Sequence, residues 1–222
     1  MTIFSSPQSP AAEYSASRTR TIALIGLFSA LYIVLAGVVG SFLGTLAQGY
    51  PEHFLRGLLM AALVVRTRKM WSATTMGVVC GLVFAAVPSP YPAVFITIST
   101  VLSGLVFDIS LATVGSYAQS TASKFRVMLG SGISGVVESV SLLSLVTFYG
   151  LGGKLITFSA LAKILSISTI SVAWGIDIVF NIVLSLFGAY IAYAYISPST
   201  KVLKAKKSQV SQDSKGSETY PK

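Results

Sequence analysis

Four ionisable side chains interrupt long apolar segments of the sequence: Arg56, Asp108, Glu138 and Asp177. A charged group is costly in hydrocarbon, so an ionisable residue inside a membrane segment is a functional candidate. Counted along their segments, Glu138 and Asp177 fall near the middle or in the outer half of a bilayer. Asp108 falls near the cytoplasmic end. The two deeper carboxylates are therefore the first candidates for ligand binding.

Polar residues repeat at helical spacing around both deeper carboxylates. One stripe contains Ser131, Ser134, Glu138 and Ser141, and a second contains Trp174, Asp177 and Asn181. Such stripes must face protein or water rather than acyl chains. A carboxylate beside an aromatic ring suits a planar ligand that is cationic or rich in N–H donors. The predicted substrate-binding residues are Glu138, Trp174, Asp177, Asn181, Ser134, Tyr149 and Tyr91.

Structural roles are the alternative for each of these residues. Serines in membrane helices often bond to their own backbone or hold helices together. For Asp108 we expect an ion pair with Lys124 or Arg126 across a short cytoplasmic loop. For Arg56 we expect a pair with Glu52 one helical turn earlier, with gating or contact with an anionic ligand as the alternative.

The composition indicates a membrane protein. Of 222 residues, 53% are hydrophobic and 10% are charged, against about 25% charged in a soluble domain. One cysteine and one histidine argue against a disulfide framework, a metal site and Ser-His-Asp catalysis. The net charge of +9 comes from short basic clusters between apolar runs. That arrangement orients membrane proteins, so we expect no nucleic-acid partner.

The elements that must position these residues are transmembrane helices of about 20 residues each. Apolar runs predict such helices, and a short outer helix is predicted before the last one. The predicted spans are Thr21–Leu43, Trp71–Val87, Ala93–Ser110 with an extension to about Val114, Val127–Tyr149 and Ser168–Ile196, and the short outer helix is Ile156–Leu165.

A weaker candidate span, Phe54–Val65, has only 12 residues. If it crosses, the basic clusters all lie on one side, as the cytoplasmic preference of Lys and Arg requires. The sequence therefore predicts an all-α, multi-pass protein of the cell membrane with six spans and both termini in the cytoplasm. The short second helix must then be surrounded by protein or thin the bilayer. The expected organisation is a disordered tail (1–17), a six-helix domain (18–196) and a basic disordered tail (197–222).

The first span resembles a known family. The segment RTRTIALIGLFSALYIVLAG resembles the first helix of S components, the substrate-binding subunits of energy-coupling factor (ECF) vitamin transporters. In that family a basic N-terminus precedes an Ala-x-x-x-Ala pattern. Gly26 stands at the first alanine position and Ala30 matches the second, so close helix contact is kept.

This resemblance implies a function without chemistry in the chain itself. S components bind vitamins or trace metals near the outer face, in a pocket of outer loops and the outer halves of the last three helices. The Gly26/Ala30 face would dock on a transmembrane coupling subunit that works with two ATPase subunits. Metal-specific members depend on an N-terminal histidine, which is absent here. Thiamine or its pyrimidine precursor suits the acidic and aromatic residues best, and cobalamin, riboflavin and biotin remain open.

Three other functions are compatible with the residues. A proton-coupled secondary transporter would use Glu138 and Asp177 as its relay. A structural membrane partner would use the carboxylates to tie helices together. An intramembrane enzyme is disfavoured, because neither H-E-x-x-H nor G-x-S-x-G occurs. No cofactor is expected, and ATP hydrolysis would belong to partner subunits, since no phosphate-binding loop is present.

Overall fold

The described part of the chain is entirely helical in a computed structural model. It covers residues 10–43, 50–86, 93–113, 115–149 and 170–196. Seven helices occur in these ranges: α1 (Pro10–Leu43), α2 (Tyr50–Thr67), α3 (Ser72–Ala85), α4 (Ala93–Ala112), α5 (Tyr117–Ser120), α6 (Lys124–Phe148) and α7 (Ile170–Ile196). Four of them contain segments long and apolar enough to cross a membrane: Ser17–Val39, Ala93–Ala112, Lys124–Leu145 and Gly175–Ile196. This supports a membrane protein built from helices.

Helix α2 lies in the interior of the bundle. Every residue from Leu55 to Val65 except Leu58 is buried, and Leu63 and Val64 are 0% exposed. The helix has 18 residues and is about 27 Å long, longer than the 12 residues predicted. The expectation that this helix is surrounded by protein is confirmed, because its neighbours cover it on all sides.

The contacts between helices fix their directions. Helices α1 and α3 are parallel, and α3–α4, α4–α6 and α6–α7 are antiparallel pairs. The α1–α3 direction follows from the contacts Ser29–Cys80 and Tyr32–Phe84, and the α3–α4 direction from Gly77–Thr100 and Gly81–Thr97. The α4–α6 direction follows from Ser103–Ser134 and Phe95–Tyr149. The α6–α7 direction follows from Ser139–Asn181 and Ala122–Tyr193. The start of α1 and the end of α7 therefore lie at the same end of the bundle.

That end carries three of the basic clusters. Lys69 Nζ donates to Ser17 Oγ at 3.1 Å, which brings the link between α2 and α3 beside the first cluster on α1. Lys124 begins α6 at the same end. We call this the basic end; its basic residues are Arg18, Arg20, Arg66, Arg68, Lys69, Lys124 and Arg126. The far end holds the starts of α2, α4 and α7.

Glycines set the closest helix contacts. A Cβ at Gly77 would lie 2.7 Å from the carbonyl oxygen of Thr100, so the Gly77-x-x-x-Gly81 face of α3 packs closely on α4. Between α2 and α7 the contact is tighter still. A Cβ at Gly57 would meet the backbone of Ser185, and one at Gly188 would meet the carbonyl oxygen of Phe54. These two glycines bring the α2 and α7 backbones together.

Two features of the described helices differ from the sequence expectation. Helix α1 begins at Pro10, so residues 10–17 are helical although 1–17 were expected to form a disordered tail. Proline suits a first helical turn, and the alanines after it favour a helix. Helix α5 was not predicted; Ser116 caps it by accepting the backbone N–H of Gln119. The short helix predicted at 156–165 lies outside the described residues.

Candidate functional site

A buried polar network joins α2, α6 and α7. Its centre is Arg56, which is 1% exposed and forms an ion pair with Glu138 of α6. The second guanidinium nitrogen, Nη2, donates to Asn181 Oδ1 at 2.9 Å and to Ser185 Oγ at 3.1 Å on α7. One side chain of α2 thus holds both neighbouring helices.

Asn181 completes this network on the side away from Arg56. Its amide nitrogen donates to the carbonyl oxygen of Gly135 at 3.1 Å and to the hydroxyl of Ser139. Its oxygen accepts from Arg56, and Ser185 Oγ donates to it at 3.2 Å. This set of partners matches the donors and acceptors of an amide, so it fixes the side-chain orientation.

The close approach of α2 and α7 explains why Arg56 reaches these partners. The residue next to it, Gly57, lies against the backbone of Ser185. Any larger residue at this position would push the helices apart and lengthen the guanidinium bonds. Burying a charge pair costs desolvation energy, and only good geometry with further hydrogen bonds offsets that cost. The further hydrogen bonds are those from Nη2 of Arg56 to Asn181 and Ser185.

Asp177 lies beyond the network, toward the far end. It is half-buried on α7, one helical turn before Asn181. Within the described ranges its carboxylate has no hydrogen bond or ion pair. Since the Arg56–Glu138 pair is neutral overall, Asp177 and Glu52, in the first turn of α2, are the carboxylates of this end that have no ion pair among the described residues.

Helix α7 extends beyond α2 at the far end. Gly57 lies beside Ser185; α2 begins seven residues before Gly57, whereas α7 begins fifteen residues before Ser185. Both helices end at the basic end, so the described part of α7 reaches eight residues, or about 12 Å, further than the described part of α2. Asp177 stands level with the first residue of α2. Asp177 thus lies at the far end of the described part of α2, and residues 44–49, which precede this helix, lie outside the described ranges.

The remaining predicted site residues fall in different places. Ser134 shares a hydrogen bond of 2.7 Å with Ser103 of α4, and Ser131 Oγ donates to the carbonyl oxygen of Ser185 at 3.0 Å. These serines hold helices together, as the structural alternative stated. Tyr149 is 62% exposed, and its ring centroid lies 4.8 Å from that of Phe95.

Two aromatic predictions fall outside what the structure describes. Tyr91 lies in the segment 87–92, and Trp174 is described only as part of the α7 backbone. Their roles as aromatic walls stay predictions.

The expected partner of Arg56 was wrong. Arg56 pairs with Glu138 on another helix, whereas the sequence suggested Glu52 one turn earlier. An i,i+4 pair forms on a helix surface. Arg56 instead points into the bundle, where an acid on a facing helix neutralises it.

The expected partners of Asp108 were also wrong. Asp108 is 0% exposed and accepts from the backbone N–H and the hydroxyl of Thr74, each at 2.8 Å. The Tyr117 hydroxyl donates to its other oxygen at 2.5 Å. Asp108 thus caps the N-terminus of α3 from the neighbouring helix, and the predicted ion pair with Lys124 or Arg126 is replaced by neutral donors.

Tyr117 on α5 remains a donor in this arrangement. Burial and the neighbouring Asp108 carboxylate raise the pKa of the phenol above its ordinary value. The phenol therefore stays protonated at neutral pH.

The Gly26/Ala30 face of α1 points away from the other described helices. Both residues are exposed, and a Cβ at Gly26 would meet no atom within 4 Å. Apolar neighbours on the same helix are exposed too, among them Leu27 at 62% and Val34 at 59%. This surface is free to contact lipid or another protein.

Comparison with protein-family models, with curated proteins and with solved structures finds no match for this chain.

Sequence reasoning missed the members of the network that lie outside the two stripes. Ser185 stands one helical turn after Asn181, so it extends the polar stripe of α7 and could have been predicted from the same spacing. Ser139 adjoins Glu138 and carries no periodic signal of its own. The pairing of Arg56 with Glu138 depends on which helices are neighbours, and no pattern in the sequence states that.

Proposed function

We propose that the chain is the substrate-binding subunit, or S component, of an ATP-driven ECF-type vitamin transporter. The observation that carries the proposal is the position of Asp177. Its carboxylate has no ion pair among the described residues, and it lies one helical turn from Asn181, on the far-end side of the Arg56 network. A ligand entering from that end would approach two carboxylates, Asp177 and Glu52, and then the polar network.

The distribution of basic residues supports six spans with both termini in the cytoplasm. Three basic clusters share one end of the bundle with the start of α1 and the end of α7. Lys and Arg favour the cytoplasmic side of membrane proteins. Helix α2, which carries Glu52, Arg56 and Arg66, is largely enclosed by protein and can cross as part of the bundle. The far end would then face outward, in the cell membrane.

The charges of the site favour a cationic or N–H-rich ligand. Glu138 is neutralised by Arg56, which leaves Asp177 and Glu52 to attract a cationic ligand, while Asn181 belongs to the polar network below them. Trp174 and Tyr91 are proposed as aromatic walls. Thiamine or its pyrimidine precursor combines a planar ring with this donor character and is the first ligand to test.

The exposed face of α1 supports a partner protein. Gly26 and Ala30 lie on a helix whose surrounding apolar residues are also exposed. Small residues at this spacing let a second helix approach closely. We assign this face to a transmembrane coupling subunit, which connects the chain to two ATPase subunits that supply the energy.

Binding to the purified protein tests the site. Thiamine is titrated while tryptophan fluorescence is followed, and bound small molecules are extracted and identified by mass spectrometry. We expect saturable binding that weakens at least about tenfold in Asp177→Asn, because a charge-assisted contact contributes about 1.5–3 kcal/mol. Thr113→Ala, directly after the end of α4 at the basic end, is the control. Absence of any bound vitamin, or equal affinity in Asp177→Asn, would refute the assignment.

A proton-coupled secondary transporter is the second candidate, because a half-buried free carboxylate can carry a proton across a membrane. Uptake by vesicles that contain only this chain separates the two functions. Uptake that needs no ATPase and collapses with an uncoupler would favour the proton-coupled carrier.

A further inference from the structure

An apolar groove runs along the outer surface of α6 and α7. It has a volume of about 400 Å³ and is lined by Met128, Val183, Leu186, Phe187 and Tyr190. The Tyr190 hydroxyl is the only polar side-chain group among these residues. Val183 and Phe187 are 57% and 55% exposed, so the groove opens on the surface that a bilayer would cover.

One mouth of the groove carries a positive charge. The Lys124 ammonium lies 3.8 Å from the centroid of the Tyr190 ring. Tyr190 is six residues from the end of α7, so this mouth lies toward the basic end. The contact with the ring holds the ammonium beside the groove, where a lysine would otherwise extend freely into the headgroup region.

The length of the groove matches part of one lipid leaflet. Val183 and Tyr190 are seven residues apart, which gives about 10 Å along α7. One leaflet contributes about 15 Å of hydrocarbon. An acyl chain in the groove would therefore bring its headgroup phosphate to the level of Lys124. Lys124 complements the negative charge of an acidic lipid headgroup, whereas an apolar partner helix in the groove would not require a cation there.

We propose that this groove and Lys124 form a binding site for one anionic phospholipid of the leaflet at the basic end. Its acyl chain lies against Val183, Leu186 and Phe187, and its phosphate pairs with Lys124. The site is separate from the proposed vitamin pocket, because it lies on the outer surface of α7 and toward the opposite end.

Native mass spectrometry of the full chain tests this proposal. The protein is taken from nanodiscs containing equal amounts of phosphatidylglycerol and phosphatidylcholine with identical acyl chains. We expect one retained phosphatidylglycerol, preferred about fivefold over phosphatidylcholine, as one lysine near an anionic headgroup would give. Lys124→Gln should lower the preference to about one.

Lys69→Gln is the matched control. Lys69 also lies at the basic end, but it donates to Ser17 on α1, away from the groove. Val183→Trp, which narrows the groove from its exposed side, should reduce retention of both lipids. Folding is checked by far-UV circular dichroism of each variant.

Three results would overturn the proposal. The first is equal retention of both lipids by the unaltered chain. The second is an equal effect of Lys69→Gln and Lys124→Gln, which would mean a general surface attraction. The third is a dimer that Val183→Trp converts to a monomer, which would make the groove an interface between two copies.

Discussion

The ion pair between Arg56 and Glu138 should contribute measurably to the free energy of unfolding. Arg56→Met removes the pair and both hydrogen bonds to α7, and it leaves Glu138, which is 13% exposed, without a positive partner. Breaking a buried pair from one side costs about 3–5 kcal/mol of unfolding free energy. Glu138→Leu leaves the guanidinium uncompensated and should cost a similar amount. The double variant removes both charges and should cost less than either single change.

The assay is unfolding by sodium dodecyl sulfate in mixed micelles, followed by far-UV circular dichroism. The four proteins form a double-mutant cycle with an expected coupling of at least about 2 kcal/mol. Arg66→Met is the matched control, because Arg66 is an exposed arginine on the same helix; it should change stability by about 0.5 kcal/mol or less. The proposed ion pair would be refuted if the free-energy changes of the two single variants simply add in the double variant, or if each single variant unfolds within about 1 kcal/mol of the unaltered chain.

Two other predictions concern packing and capping. Gly188→Ala places a methyl group against the Phe54 carbonyl oxygen and should destabilise the protein by about 1–3 kcal/mol. Gly175→Ala is the control, because a Cβ at this position of the same helix would have no atom within 4 Å, and it should leave the stability unchanged. Equal thermal unfolding temperatures of the two variants would contradict the close contact at Gly188. Asp108→Asn weakens the acceptor that caps α3 and should cost about 1–2 kcal/mol, while Tyr117→Phe removes one of its donors and should cost less, about 1 kcal/mol. A larger loss of stability in Tyr117→Phe than in Asp108→Asn would exclude the capping role.

Periodicity located most of the helices because apolar runs bounded by polar residues are a local signal. The predicted last span, Ser168–Ile196, compares with Ile170–Ile196 in the structure. The length of helix α2 was harder to predict, because the polar residues Glu52, His53 and Arg56 interrupt the apolar pattern in its first turns. Its extra turn becomes clear only when the surrounding helices are seen to cover it.

The candidate site was predictable in its residue types but not in its contacts. Helical spacing placed Asp177 and Asn181 on one face, which the structure keeps. It did not show that Asn181 would be fully occupied by Arg56, Gly135 and Ser139, because that depends on the α2–α7 approach at Gly57. The two acids were expected to act together; the contacts give Glu138 a partner and leave Asp177 without one among the described residues.

Access to Asp177 from the outer side is the most direct test of the proposed pocket. The chain has one cysteine, Cys80, which is buried, so cysteines are introduced after Cys80→Ser. Asp177→Cys should react with a membrane-impermeant thiol reagent added outside intact cells. Ser185→Cys, two turns deeper and 0% exposed in the native chain, should not. Failure of Asp177→Cys to react, or its reaction only from the cytoplasmic side, would contradict a ligand pocket open to the exterior.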